Sequence, residues 1–173
     1  MTMKIFAILF VSSFIFCNIL IAEEGGGKMK ITSPAFENNT YIPKKYSGEA
    51  EDVNPPLNIA DVPRGAKSLV LIMDDPDAPR GTWLHWAVFN IPATTLQIAE
   101  NSVPGKQGAT SSGHNNYGGP YPPSGTHRYF FKLYALDTML NMSDGISRKE
   151  LENAMQGHIL DKAELIGLYK MSK

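Results

Sequence analysis

The sequence predicts a mainly β protein: an antiparallel β-sandwich with one small C-terminal helix and long loops rich in proline and glycine. Short apolar runs with the two-residue period of strands recur along the chain. The 15 glycines and 12 prolines interrupt these runs and disfavour long helices. Only one helix start is strongly marked, at Ser147. Short strands, many turns and one late helix together favour packed sheets over a helical bundle.

The first half of the predicted sandwich contains edge segments and two central strands. Apolar and polar residues roughly alternate from 29 to 36, as in a half-buried strand. The segment 41–63 carries four prolines, which suits short edge strands and turns. The apolar run at 69–73 predicts a central buried strand. The run at 84–91 predicts the next strand, which Pro92 ends.

A long loop opens the second half. Residues 102–125 are rich in Gly, Ser, Asn and Pro, and a loop of this length inside a compact domain is usually functional or mobile. The run 127–136 then predicts a strand. His127 and Tyr129 lie on its core-facing side, because alternate residues share one face of a strand.

The marked helix begins after Ser147, whose hydroxyl can act with the Glu150 carboxylate as a capping box. Apolar residues follow at helical spacing as far as His158, and Gly157 is a suitable stop. Residues 163–169 predict a closing strand. We expect the helix to lie at the periphery of the sandwich.

Charge and cysteine content exclude several classes of function. The 173 residues carry 16 Lys and Arg against 17 Asp and Glu, a formal net charge of −1. We therefore expect one globular domain without a broad basic surface, and no nucleic-acid binding. The single cysteine, Cys17, cannot form an internal disulfide or a cysteine-rich zinc site.

Residues 1–22 have the pattern of a secretory signal peptide. Lys4 precedes an apolar run that ends at Ala22, and an acidic, glycine-rich tether at 23–27 follows. We expect cleavage after Ala22, a domain at 28–173, and a periplasmic or secreted protein with no stable membrane span. A retained transmembrane anchor is the alternative, because the apolar run is only slightly short of a full span.

Three carboxylates follow the first central strand, at Asp74, Asp75 and Asp77, where core packing does not explain them. One interpretation is a turn, rigidified by proline, in which they cap backbone N–H groups. The other is a functional site. If the two central strands pair as antiparallel neighbours, Asp75 or Asp77 can approach His85 and orient its ring.

A second polar group lies at the start of the next strand. Pro122 and Pro123 lead into His127, and Tyr129 lies on the same side of the strand. The imidazole and the phenol can therefore point into one pocket. Arg128, on the other side, is expected to make a structural ion pair.

Three longer motifs contain these residues: DDPDAP at 74–79, LHWAVFNIP at 84–92 and GGPYPPSGTHRYFFKLYALD at 118–137. In order and spacing they resemble the phosphatidylethanolamine-binding protein family, in its bacterial Raf-kinase-inhibitor-like branch. The resemblance covers nearly the whole chain after the leader. The segment 108–117 departs from the family pattern, and Tyr121 stands where relatives often carry a cysteine.

The resemblance implies a β-sandwich with a small anion-binding pocket at one end. Its residues would be Asp75, Asp77, Pro79, His85, Pro123, His127 and Tyr129. Imidazole and phenol groups can donate hydrogen bonds to phosphate oxygens, while the carboxylates would hold the histidines. His114 and His158 are expected to be a loop residue and a helix-end residue rather than ligands.

The predicted function is non-catalytic binding of a small anionic ligand, either phosphate-like or a phospholipid head group. No enzyme activity, cofactor or metal is predicted, and a protein partner and a homodimer are left open. One alternative is an acid–base or metal-dependent hydrolase that uses Asp75, His85 and His127. Another is a protease or kinase inhibitor that acts through its surface.

Overall fold

The computed structural model describes residues 27–172, which form two β-sheets and one α-helix. The strands are β1 (Lys30–Thr32), β2 (Thr40–Tyr41), β3 (Leu57–Ala60), β4 (Ser68–Asp75), β5 (Trp83–Pro92), β6 (Gln97–Ile98), β7 (Lys106–Gln107), β8 (His127–Leu136) and β9 (Ile159–Tyr169). The helix α1 spans Arg148–Met155, and a 3₁₀ turn spans Lys44–Tyr46. The predicted mainly β fold with a small C-terminal helix is confirmed.

The two sheets differ in size. The smaller has the strand order β1-β3-β6, and the larger has the order β2-β9-β8-β4-β5-β7. Neighbouring strands are antiparallel, as predicted, except that β2 runs parallel to β9 at the edge of the larger sheet. The predicted pairing of the two central strands is therefore confirmed as the β4–β5 ladder.

Strand β4 lies at the centre of the packing. It pairs with β5 on one side and β8 on the other, and all of its residues are buried. Leu71 belongs to the core between the two sheets, whereas Ile72 packs in a second cluster with Leu151 and Met155 of α1. Both faces of β4 are covered, which explains its uninterrupted apolar run. The helix thus closes the outer face of the larger sheet.

The capping box and the stop at Gly157 are confirmed, although the helical spacing of the sequence continues to His158. Ser147 Oγ accepts from the Glu150 N–H at 3.3 Å, and Glu150 Oε2 accepts from the Ser147 N–H at 2.8 Å. The helix ends at Met155, because Gly157 adopts a left-handed conformation with a φ of 79°. His158 therefore lies beyond the helix.

Other boundaries also differ from the prediction. Only 30–32 of the alternating segment 29–36 is paired as strand, and the closing strand begins at Ile159 rather than at 163. Strand ends depend on a partner in the ladder, which the pattern of one segment does not contain.

The predicted signal peptide at 1–22 lies outside the described residues, as does the tether apart from Gly27. Cleavage and export therefore stay predictions. Within 27–172, no helix has the length and apolar character needed to cross a membrane.

Candidate functional site

Three strands of the larger sheet bring side chains to one end of the sandwich. Strand β4 ends there, and its antiparallel neighbours β5 and β8 begin there. A cavity of about 590 Å³ opens at this end. It is lined by six of the seven predicted site residues: Asp75, Pro79, His85, Pro123, His127 and Tyr129.

His127 and Asp75 form a buried pair at the floor of the cavity. The His127 Nδ1 lies 2.7 Å from Asp75 Oδ2, and the two residues are 7% and 3% exposed. An ionised carboxylate can only accept, so we assign the proton to Nδ1. The His127 Nε2, which has no partner among the described residues, is then the ring atom left for a ligand. Asp75 is held in turn, because its Oδ1 accepts from the Asp77 N–H at 2.8 Å.

His85 reaches the cavity through a β-bulge. In the β4–β5 ladder Met73 pairs with Trp86 and Asp74 pairs with Leu84, so His85 is the extra, unpaired residue. Its backbone carbonyl instead accepts from the Gly118 N–H at 3.1 Å. Its ring Nδ1 donates to the Gly118 carbonyl at 2.7 Å, since a carbonyl can only accept. This two-way contact leaves Nε2 as the free ring atom of His85 as well.

Asp75 comes near His85, but the expectation that Asp75 or Asp77 would orient the His85 ring is wrong, because the Gly118 carbonyl does so. Asp75 stands opposite Trp83 in the ladder, and its carboxylate pairs with His127 on the other neighbouring strand. Burial is the main influence on His85 and lowers the pKa of its ring below 6.5. The Gly118 hydrogen bond and the charge of Asp75 oppose this shift without outweighing it.

Tyr129 carries an unpartnered hydroxyl. The residue is fully buried, and its ring meets the His85 ring edge to face, with 5.2 Å between the centroids. The hydroxyl lies near the Tyr121 backbone but has no hydrogen-bond partner among the described residues. Burial, reinforced by the charge of Asp75, raises the pKa of Tyr129, so the phenol keeps its proton. An unpaired buried donor is uncommon and suits a ligand oxygen.

The three carboxylates have three different roles. Asp74 is fully buried on the opposite face, where Lys132 and Arg148 approach it within 2.8 and 2.9 Å and tie α1 to the sheet. Asp75 faces the cavity. Asp77, a predicted site residue, does not line the cavity.

Asp77 instead binds Arg128 in the predicted ion pair. Its carboxylate accepts from the Arg128 backbone N–H at 3.0 Å, from Nε at 2.9 Å and from Nη2 at 2.7 Å. These contacts lower the pKa of Asp77 to about 2. Asp77 therefore fixes the start of β8 from outside, and its inclusion in the pocket lining is corrected.

The opposite wall of the cavity is formed by residues that the sequence analysis did not name as site residues. Segment 108–117 contributes Thr110, Ser112, His114, Asn116 and Tyr117 to the lining, although His114 was expected to be only a loop residue. Ser111 attaches this segment to β5: its N–H donates to the Leu84 carbonyl at 3.0 Å, and its Oγ accepts from the Leu84 N–H at 2.8 Å. A long polar loop between two strands that carry site residues was the available indication.

Gly119 lets the loop come close to the 3₁₀ turn. A side chain at Gly119 would collide with the Tyr46 carbonyl, and the Gly119 N–H donates to Asp52 at 2.6 Å. The Tyr117 hydroxyl also donates to the Tyr46 carbonyl at 2.8 Å. These contacts hold the wall that carries Gly118, the partner of His85.

Among residues 27–172, no group of three or more His, Cys, Asp or Glu side chains is arranged as a metal site. Asp75 engages His127, while the ring of His85 engages a backbone carbonyl. The floor of the cavity instead combines hydrogen-bond donors and acceptors that suit a small polar or anionic group.

Known proteins with similar sequences support the family indicated by the motifs. The phosphatidylethanolamine-binding protein profile matches residues 32–170. A UPF0098 protein of Methanothermobacter thermautotrophicus is 47% identical over 150 residues, which cover 82% of this chain and 99% of that protein. A UPF0098 protein of Pyrococcus horikoshii is 48% identical over 161 residues, or 84% of this chain and 80% of that protein.

Solved structures agree. A phosphatidylethanolamine-binding protein homologue from Chlamydia trachomatis superposes with a TM-score of 0.82 at 43% identity, covering 84% of this chain and 99% of that one. YbcL of E. coli, described as a member of the mammalian family, superposes with a TM-score of 0.78 at 27% identity, covering 84% and 100%. By sequence and by fold, this chain belongs to the phosphatidylethanolamine-binding protein family.

Proposed function

We propose that this protein is a non-catalytic binding protein for a small ligand that carries a phosphate-like group. One observation carries the proposal: the free Nε2 atoms of His85 and His127 and the unpartnered Tyr129 hydroxyl belong to one cavity. Membership of the family supports ligand binding in general. The name of the family points to phosphatidylethanolamine, whose head group shares its phosphate with simpler phosphate esters.

The proton arrangement specifies what the ligand must offer. His85 is neutral near pH 7 because burial lowers its pKa, so its Nε2 is an acceptor. Tyr129 is a donor, since its phenol keeps its proton. A phosphate that retains one proton can donate to His85 and accept from Tyr129. The His127 Nε2, left free because Nδ1 donates to Asp75, is the second ring nitrogen available to the ligand.

The acid–base hydrolase remains a weaker candidate. Besides a base, for which the neutral His85 ring is available, it would need a positioned nucleophile. The Asp75 carboxylate is already engaged by His127 and by a backbone N–H, and the chain after residue 22 contains no cysteine. We include regulation of a protein partner, in the periplasm or outside the cell, only as a consequence of ligand binding in this pocket.

The test is a titration with inorganic phosphate followed by NMR of the histidine ring protons. We expect His85 and His127 to shift together while His158, on the surface, stays unchanged. His127→Ala should abolish the response, whereas His158→Ala should preserve it. If both cavity histidines stay silent in the wild-type protein, with phosphate and with phosphoethanolamine, the pocket does not bind phosphate and the proposal fails.

A further inference from the structure

We propose that the mouth of the cavity selects a phosphorylated sugar, with the sugar ring held between exposed aromatic and polar side chains. This inference rests on the proposed phosphate site at the floor. The cavity of about 590 Å³ has the volume of roughly twenty water molecules. Phosphate alone leaves most of it unfilled, which gives room for an organic part of the ligand.

Two aromatic side chains lie at the mouth, far apart in sequence. Trp83 begins β5 and is 40% exposed, and Tyr121 follows the Gly-Gly-Pro segment and is 61% exposed. Both line the cavity. The Tyr121 ring rests against Gly48, where an added Cβ would lie 3.1 Å from the ring. Large aromatic surface left in solvent beside a cavity is a feature of binding sites.

Polar side chains of segment 108–117 line the same cavity. Ser112 is positioned by the Thr110 hydroxyl, with 2.8 Å between the two oxygens, and Asn116 Nδ2 donates to the Tyr117 carbonyl at 2.8 Å. The His114 ring makes no hydrogen bond among the described residues. The lining therefore offers hydroxyl, amide and imidazole groups together with the two exposed aromatic rings of Trp83 and Tyr121.

This combination fits a sugar better than a lipid chain. The C–H groups of a sugar face carry a small positive charge and pack on the negative face of an aromatic ring. The sugar hydroxyls then exchange hydrogen bonds with Ser112, His114 or Asn116. An acyl chain would leave the Ser112, His114 and Asn116 side chains without polar partners in the bound ligand.

The experiment compares three ligands that share the phosphate: glucose 6-phosphate, acyclic glycerol 3-phosphate and inorganic phosphate. We expect glucose 6-phosphate to bind about tenfold more tightly than glycerol 3-phosphate, the effect of one aromatic contact. Trp83→Leu and Tyr121→Ala should each reduce this preference at least threefold. Inorganic phosphate should bind all forms equally. Tyr41→Ala is the matched control, because Tyr41 is 59% exposed but lies outside the cavity lining.

Fluorescence gives a second readout. The chain has two tryptophans: Trp83 at the mouth and Trp86, which is buried and donates to Gln107 at 2.8 Å. Glucose 6-phosphate should change the emission of the wild-type protein and not that of Trp83→Phe.

The possible outcomes separate the two proposals. If inorganic phosphate binds but glucose 6-phosphate binds no more tightly than glycerol 3-phosphate, the sugar inference is overturned and the phosphate site stands. Tighter binding of glycerophosphoethanolamine than of glucose 6-phosphate would also overturn it, in favour of a lipid head group. If inorganic phosphate does not bind at all, the proposed function fails, and the sugar inference fails with it.

Discussion

The protein contains two histidine–aspartate pairs with nearly the same geometry and very different surroundings. His127 Nδ1 lies 2.7 Å from Asp75 Oδ2, and His158 Nδ1 lies 2.8 Å from Asp137 Oδ1. The side chains of the first pair are 9% and 5% exposed, whereas those of the second are both 46% exposed. Water and salt screen the surface pair, while the buried pair keeps its orientation and its electrostatic strength. Burial, rather than the hydrogen bond itself, distinguishes the pair in the candidate site from the pair on the surface.

The largest difference in stability between the two pairs is expected when the aspartate of each pair is replaced by asparagine. Asp75→Asn should lower the free energy of unfolding by about 1–3 kcal/mol, because the carboxylate accepts from both His127 and the Asp77 N–H, whereas an amide has a single acceptor oxygen and leaves one buried donor unpaired. Urea denaturation measures this change, and phosphate binding should be lost with it. Equal stability losses in Asp75→Asn and Asp137→Asn would contradict the comparison.

A pH dependence is expected from the buried site. Burial lowers the folded-state pKa of His85 below 6.5, so the unfolded chain binds the proton first as the pH falls. Stability contributed by neutral His85 is therefore complete above about pH 6.5 and is lost as the pH falls toward the lowered pKa. The slope for one proton is at most about 1.4 kcal/mol per pH unit.

Thermal or urea unfolding between pH 5 and 8 measures this slope. His85→Gln should flatten it, whereas His158→Gln, the exposed control, should leave it unchanged. A slope that survives in His85→Gln would show that another group is responsible.

Tyr129 and Tyr117 are both buried, but the Tyr117 hydroxyl has a hydrogen-bond partner and the Tyr129 hydroxyl has none among the described residues. Tyr129→Phe removes an unpartnered hydroxyl and should change stability by no more than about 0.5 kcal/mol, while phosphate affinity falls about tenfold. Tyr117→Phe removes the hydrogen bond to the Tyr46 carbonyl and should cost about 1 kcal/mol. Unfolding curves and phosphate titrations of both variants test this, and a clear stability loss in Tyr129→Phe would argue against a ligand-directed hydroxyl.

The smallest effect is expected at the surface pair. Asp137→Asn should change the free energy of unfolding by less than about 0.5 kcal/mol, and the change should shrink further in high salt. Phosphate binding should be unaffected. A loss above about 1 kcal/mol would mean that exposure does not separate the two pairs.

Much of the site could be predicted from local sequence. The apolar run of β4 placed Asp75 at the end of a buried strand, and the two-residue period placed His127 and Tyr129 on one face. The resemblance of the motifs to the family placed His127 and Tyr129 near His85. The partners of the carboxylates could not be predicted, because Asp74, Asp75 and Asp77 are neighbours in sequence but face different parts of the fold.

The sequence by itself determined the long central strands, the capped helix and the residue types of the cavity floor, because periodicity, proline and capping chemistry act over a few residues. Only the tertiary structure decided that His85 sits in a bulge held by Gly118, that Asp75 serves His127, and that segment 108–117 closes the cavity. These features depend on the register between strands and on contacts across long stretches of chain. No single segment contains that information.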